Sequence, residues 1–322
     1  MASFIKVAAV AVAIAAASTA AKAEYPDKPI RYVLHVSPGG ATDVMARKLG
    51  IGLQQELGQP LVIDNRAGGR GASQMAELKN AKPDGYTIGS VTNTHIAAFH
   101  QTLKQYKIDS VDWIARLAAE PYLIVVRNDS PIKSLKDLVE SIRSAPGKTV
   151  IAGFTRGSGS HIAWEMLMKA AGLPGNAANW VPYDSVGDGV TAVLGGHGVA
   201  TVSYVDLVKD HVEAGNLRVV GVMTESRIAQ FPDVPTFKEQ GFDVPTEWQQ
   251  WRGVIGPKGM PADVKQKLAA AIEKVMKSPD MQSYLKTGSL EYSFAGPEDF
   301  TAFARKQDQI TVQWLQQLGM MK

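Results

Sequence analysis

Short apolar, β-branched runs alternate with helix-length segments along most of this chain, and that alternation most constrains the fold. Ile30 to Val36 reads as a strand that stops at Ser37-Pro38-Gly39-Gly40; Ala46, Leu49, Leu53 and Leu57 then recur on one side of a helix. Leu61-Val62-Ile63 predicts a second strand, Asn65 to Gly71 a loop, Ser73 to Leu78 a weak helix and Tyr86 to Val91 a third strand. The pattern restarts with a strand at Tyr122 to Val126, a helix near Ser134 to Ser144, a strand at Thr149 to Ala152, a helix from about Ser160 to Ala171 and a strand at Leu217 to Val222. Such alternation predicts an α/β fold with a largely parallel sheet, and two runs of it predict two lobes. The first lobe is expected over 24–126 and 251–322 and the second over 127–250, with helices around Ala262 to Met276 and Pro297 to Leu318 closing the C-terminus.

The extreme N-terminus breaks the pattern. Lys6 precedes an apolar run from Val7 to Ala17, followed by small residues ending in Ala21-Lys22-Ala23, which is the order of a secretory signal peptide. Cleavage after Ala23 would leave 299 of the 322 residues, carrying 32 basic and 31 acidic groups, so the exported protein is nearly neutral. No later stretch approaches the ~18 consecutive apolar residues of a membrane helix. The expected location is the periplasm.

Composition then excludes function classes. With no cysteine there is no disulfide, thiol nucleophile, Cys-ligated zinc or iron-sulfur cluster, and a lipoprotein anchor is impossible. No Lys/Arg block offers the basic stripe of a nucleic-acid binder. The six histidines lack paired metal-ligand spacing, and no Walker or dinucleotide fingerprint is present, so no metal and no cofactor is expected. Gly157-Ser158-Gly159-Ser160-His161 looks like a nucleophile elbow, but Gly-x-Ser-x-Gly centred on Ser160 would need glycines where Ser158 and Ile162 stand. No catalytic constellation assembles, and an enzyme is not expected.

What remains is glycine turns that run into helices. Ser37, Gly39, Gly40, Ala41, Thr42 and Asp43 join the first strand to the first helix, whose free N–H groups offer an anion site without any lysine. Thr42 is placed to cap that helix and Asp43 to sit in its first turn. Arg156, Gly157, Ser158, Ser160 and His161 form a comparable feature in the second lobe, with Arg156 a candidate bidentate partner for a carboxylate. Two helix starts facing each other across a cleft would clamp a molecule with a carboxylate at each end. Asn93 and Thr94, Tyr183 and Asp206 lie at strand ends from which they would reach that cleft, while local capping, packing or turn roles remain open for each. Trp248 and Trp251 are read as a hinge wall, pocket lining or core.

The sequence resembles the extracytoplasmic solute receptors of tripartite tricarboxylate transporters, also called Bordetella uptake gene proteins. The matching stretches are Tyr25-Pro26-Asp27-Lys28-Pro29-Ile30-Arg31, Pro38 to Asp43 with Ala46-Arg47, Val62 to Gly69, Lys82 to Thr87, Gly157 to His161, Val181-Pro182-Tyr183, Leu194-Gly195-Gly196, Pro232 to Thr236 and Gly256-Pro257-Lys258-Gly259. They run in order through the chain after Ala23. The resemblance implies a two-lobed periplasmic-binding-protein fold of the Venus flytrap, type II-like kind, with a ligand cleft between the lobes. It also implies a monomer that captures an organic carboxylate and hands it to a membrane permease with one large and one small subunit. One carboxylate would be met at Ser37 to Asp43 and the other end at Gly157 to His161, with Tyr183 and Asp206 nearby. Trp251-Arg252-Gly253-Val254 leans toward the branch associated with tricarboxylates such as citrate. His35, Ser37 and Asp184-Ser185-Val186 depart from the usual pattern at positions that would reshape the pocket. Receptors for aromatic acids or amino acids, and a ligand-sensing module for a signalling partner, share this fold and stay open as alternatives.

Overall fold

A computed structural model describes residues 24–321; the expected signal peptide lies outside the described residues. Two sheets organise the chain. The first has six strands in the order β11-β4-β10-β3-β1-β2, where β1 is Ile30–Leu34, β2 Leu61–Asn65, β3 Thr87–Thr92, β4 Val111–Glu120, β10 Gln250–Pro257 and β11 Glu291–Ala295. The second has five in the order β7-β6-β8-β5-β9, where β5 is Leu123–Arg127, β6 Val150–Phe154, β7 Asn179–Tyr183, β8 Ala200–Ser203 and β9 Leu217–Val222. The chain is therefore a two-lobed α/β protein.

The expectation of a largely parallel sheet needs correction. β1 is parallel to β2 and β3, and β6 to β7 and β8, but β10 is antiparallel to β3 and β4, and β5 to β8 and β9. β5 and β10 are the strands that follow the two crossings between lobes, and each enters its sheet against the grain of its neighbours. The expected change of lobe at 127 also moves, because β5 already belongs to the second sheet and the chain crosses between Glu120 and Leu123. β4 escaped the sequence reading, since Val111 to Glu120 runs directly into the apolar β5 with only Pro121-Tyr122 between them.

Helices cover the sheets: α1 (Ala41–Leu57), α2 (Ala72–Asn80), α3 (Asn93–Gln101), α4 (Leu135–Ser144), α5 (Gly159–Ala170), α6 (Val186–Leu194), α7 (Val205–Glu213), α8 (Ala262–Met276), α9 (Pro279–Thr287) and α10 (Pro297–Gln317). In α4 the Ser134 side chain caps the Asp137 N–H at 3.1 Å, and Leu135, Leu138, Val139 and Ile142 form its buried stripe. Every residue of β10 is buried, as a central strand covered on both faces requires. Trp251 points into the first lobe and packs against Trp113, Phe300 and Phe303, which locks α10 onto β4 and β10. No helix among the described residues is long and apolar enough to cross a membrane.

Candidate ligand-binding site

The lobes meet at two pairs of helix starts. At the first, α1 begins after Gly40 and faces the start of α6: a Cβ built on Gly40 would lie 3.1 Å from Ser185 Cβ, and one on Gly187 would lie 3.1 Å from the Gly39 carbonyl oxygen. Gly39 has φ of 81°, which glycine alone adopts freely, so the turn can pass close to the opposite lobe. At the second, α3 faces α5: the Gly159 N–H donates to Thr94 Oγ1 at 3.2 Å, Trp248 Nε1–H donates to the Gly159 carbonyl at 3.0 Å, and Arg70 reaches across to the Gly157 carbonyl at 3.0 Å.

Between these contacts lies a cavity of about 20 Å³ lined by His35, Val36, Gly40, Ala41, Thr42, Phe154, Ser185, Val186, Tyr204, Gln250 and Arg252. That is room for roughly one water. The lobes must part to admit anything larger.

This geometry reassigns much of the sequence reading. Gly40, Ala41 and Thr42 line the cavity, but Gly40, not Thr42, is the cap residue of α1, and Thr42 lies buried inside the first turn. Ser37 and Gly39 belong to the turn but are not among the lining residues. Asp43 is fully engaged inside its own lobe. It accepts from the Gly39 N–H at 2.9 Å, from Arg47 Nε and Nη2 at 2.8 and 2.9 Å, and from Asn65 Nδ2 at 3.0 Å. Burial pushes its pKa up, but these donors outweigh burial and hold it below the ordinary carboxylate range. Asp43 braces the glycine turn.

Gly157 to His161 does not face the first glycine turn; α6 does, and α5 meets α3 instead. Ser158 caps α5 by accepting from the His161 N–H at 3.2 Å and shares a hydrogen bond with Ser160 at 3.1 Å. His161 Nδ1 accepts from the Gly157 N–H at 3.0 Å while the ring stacks edge-on against Trp180 at 4.7 Å. Burial, then Arg156 and Arg70, push its pKa down to about 3, so it is a neutral packing residue. Arg156 is exposed and donates to the Trp180 carbonyl at 2.6 Å, away from the cavity. Tyr183 lines a separate surface groove with His197. Asn93 and Thr94 are buried at the interlobe contact, where Asn93 Nδ2 donates to Tyr122 Oη at 3.0 Å and to the Gln249 carbonyl at 3.1 Å.

The buried charge of the cleft is Arg252, on β10. Its guanidinium is 2% exposed, lines the cavity, makes an ion contact with Glu120 and stands 5.2 Å from the centre of the Tyr204 ring. Its Nε and Nη1 have no hydrogen-bond partner among the described residues. Burial raises Glu120 to about 8, more than Arg252 lowers it, and burial likewise raises Asp206. Asp206 accepts from Tyr284 Oη–H at 3.1 Å and does not line this cavity; with Val44, Lys48 and Tyr284 it lines a separate one of about 800 Å³. His35, whose Nδ1 is 2.8 Å from Ser90 Oγ, is held well below its usual pKa by burial, His95 and Arg252, and faces the cavity neutral. Sequence reasoning missed Ser185 as the opposing cap and Arg252 as the charge. The signal for the second was present: one arginine inside the otherwise uncharged run Gln250 to Pro257.

Residues 45–320 match the family described as tripartite tricarboxylate transporter family receptor. The chain belongs to this family. It is a receptor and not a catalyst, and its fold is that of periplasmic binding proteins. BugT of Bordetella pertussis is 32% identical over 239 residues, 73% of this chain and 72% of BugT. A solved periplasmic transporter, 30% identical, superposes with a TM-score of 0.82 over 89% of this chain and 96% of its own. The periplasmic binding protein BugD, 26% identical, superposes with a TM-score of 0.86 over 92% and 100%. Receptors of this family deliver a captured solute to membrane permease components.

Proposed function

We propose that this receptor captures an organic acid with two or three carboxylates and delivers it to the large and small subunits of a tripartite permease, working as a monomer exported by cleavage after Ala23. The observation that carries the reading is the pair of helix starts, α1 and α6, facing each other across a cavity with Arg252 on its wall. Free N–H groups at each start favour an anion, and they gain strength as closure removes water. A nearly neutral chain thus acquires an anion site from local geometry. Parting of the lobes admits the acid, and partial closure buries it.

Calorimetry on the exported chain with citrate, tricarballylate, succinate, malate, glutamate, nicotinate and terephthalate tests the reading. Di- or tricarboxylates are expected to bind and the aromatic monoacid nicotinate to fail. Silence across the panel, or a preference for nicotinate, would overturn it. Uptake into vesicles carrying the two permease subunits, dependent on the receptor, tests delivery.

A further inference from the structure

Arg252 carries more information than the helix starts, because it is a buried cation only partly used by the protein. One nitrogen faces Glu120, while Nε and Nη1 are buried without partners in a residue that lines the cavity. Burying guanidinium donors unpaired is costly, so such an edge marks a place where an acceptor belongs. Building on the carboxylate reading, we propose that Arg252 sets the ligand class: its unshared edge takes a carboxylate beyond those met by the helix starts, in competition with its internal partner Glu120.

The surroundings support this division of labour. Glu120 comes from β4 and Asp206 from α7; both act on Arg252 and neither lines the cavity. Tyr204 just before α7, Tyr284 from α9, Tyr32 from β1 and His35 just after β1 are other titratable groups that feel Arg252. Tyr122, between the lobes, stands beside the Glu120–Arg252 pair as well. Burial pushes all four tyrosines up and His35 down, so these rings stay neutral from pH 7.5 to 9.5. Burial pushes Glu120 up to about 8, inside that window, and raises Asp206, coupled to the same pair, as well. With Glu120 protonated the Arg252 charge is open to a ligand; with Glu120 ionised the pair is internally neutral and a further carboxylate is opposed. Affinity for a tricarboxylate should then fall as pH rises through about 8, approaching tenfold per unit above it.

Tricarballylate and glutarate, which differ by one carboxylate and are both fully ionised in this range, separate the possibilities when titrated calorimetrically at pH 7.5 and 9.5. The wild type is expected to prefer tricarballylate at pH 7.5 and to lose most of that preference at pH 9.5. Arg252→Gln should lose the preference at both pH values, the readout being the ratio of the two affinities in the same variant. Glu120→Gln should keep the preference at both, abolishing its pH dependence. Because Arg252→Gln leaves Glu120 unpaired, the double variant Arg252→Gln/Glu120→Gln serves if the single one does not fold, with the same expected loss. Unchanged tricarballylate preference in a folded Arg252 variant, or an unaltered pH profile in Glu120→Gln, overturns the inference alone. Failure of both acids to bind the wild type overturns the carboxylate reading itself, and the inference with it.

Discussion

Gly159→Ala separates lobe folding from lobe closure. Gly159 is the first residue of α5 and has helical backbone, so alanine fits locally and removes a glycine penalty of up to ~1 kcal/mol. Across the interface there is no room: the added Cβ would lie 2.3 Å from Asn93 Oδ1 and 2.4 Å from Tyr122 Oη, both on buried side chains. Overpacking of this kind costs ~1–3 kcal/mol, and here the cost falls on the closed arrangement. Closure should weaken by roughly 5- to 150-fold. Since the closed cavity holds about one water, this state excludes a dicarboxylate and competes with binding. The variant should therefore scatter X-rays with a larger radius of gyration without ligand, unfold at the same urea concentration or higher, and bind its acid at least as tightly as wild type. An unchanged radius, or weaker binding by a folded variant, would refute the reasoning.

Asp43→Asn removes the charge from four hydrogen bonds in a group only 3% exposed and should cost ~2 kcal/mol in urea unfolding at pH 7, with most of the Arg47 contribution screened at its exposed end. Unchanged stability with abolished ligand binding would show instead that Asp43 touches the ligand. Ser185→Ala deletes the cap that accepts from the Asp188 N–H at 3.0 Å, costing ~1 kcal/mol, and removes a hydroxyl from the cavity wall, so affinity should drop several-fold in the same calorimetric titration. Acid should destabilise the protein through its buried histidines. His95 accepts from the Thr92 N–H at 3.3 Å, pairs with Gln74 Oε1 at 2.8 Å and is depressed by burial to about 4. Its folded pKa lies below the unfolded value near 6.5, so stability present above pH 6.5 is lost as pH falls toward 4, by ~3 kcal/mol for this residue. Urea midpoints that stay level from pH 7 to 4.5 would contradict it.

The legible parts of the sequence were those governed by local rules. Strands β1, β6 and β9 and helices α4, α8 and α10 carry periodicity or capping that the chain displays in place, and the glycine turn before α1 announces itself by composition. Pairing across the cleft was not legible, because Gly157 to His161 and Ser185 both begin helices in the second lobe and only sheet order decides which one meets α1. Strand order β7-β6-β8 places the start of α6, after β7, opposite Gly40, and leaves α5 to α3. Arg156 read as a candidate bidentate partner for a carboxylate, yet its Nη2 donates to the Trp180 carbonyl and it does not line the cavity. Asp206, expected to reach the cleft, does not line the cavity; its charge acts on Arg252, where a carboxylate helps retain a buried cation.

The antiparallel strands explain why the decisive charge sits where it does. In a parallel α/β sheet only the carboxyl ends of strands reach the ligand edge, so site residues are sought in the loop after each strand. β10 runs the other way, and its beginning lies beside the end of β3: Arg252 is in register with Thr92, the residue that leads into Asn93 and Thr94. The same strand pairs Gln250 with Glu120 at the end of β4, next to the crossing into the second lobe. A single strand thereby brings a cation, its counter-carboxylate and the hinge to one edge of the cleft. If a ligand carboxylate meets Arg252 as proposed, its charge would be felt beside the crossing between the lobes, which would couple recognition to closure through β10.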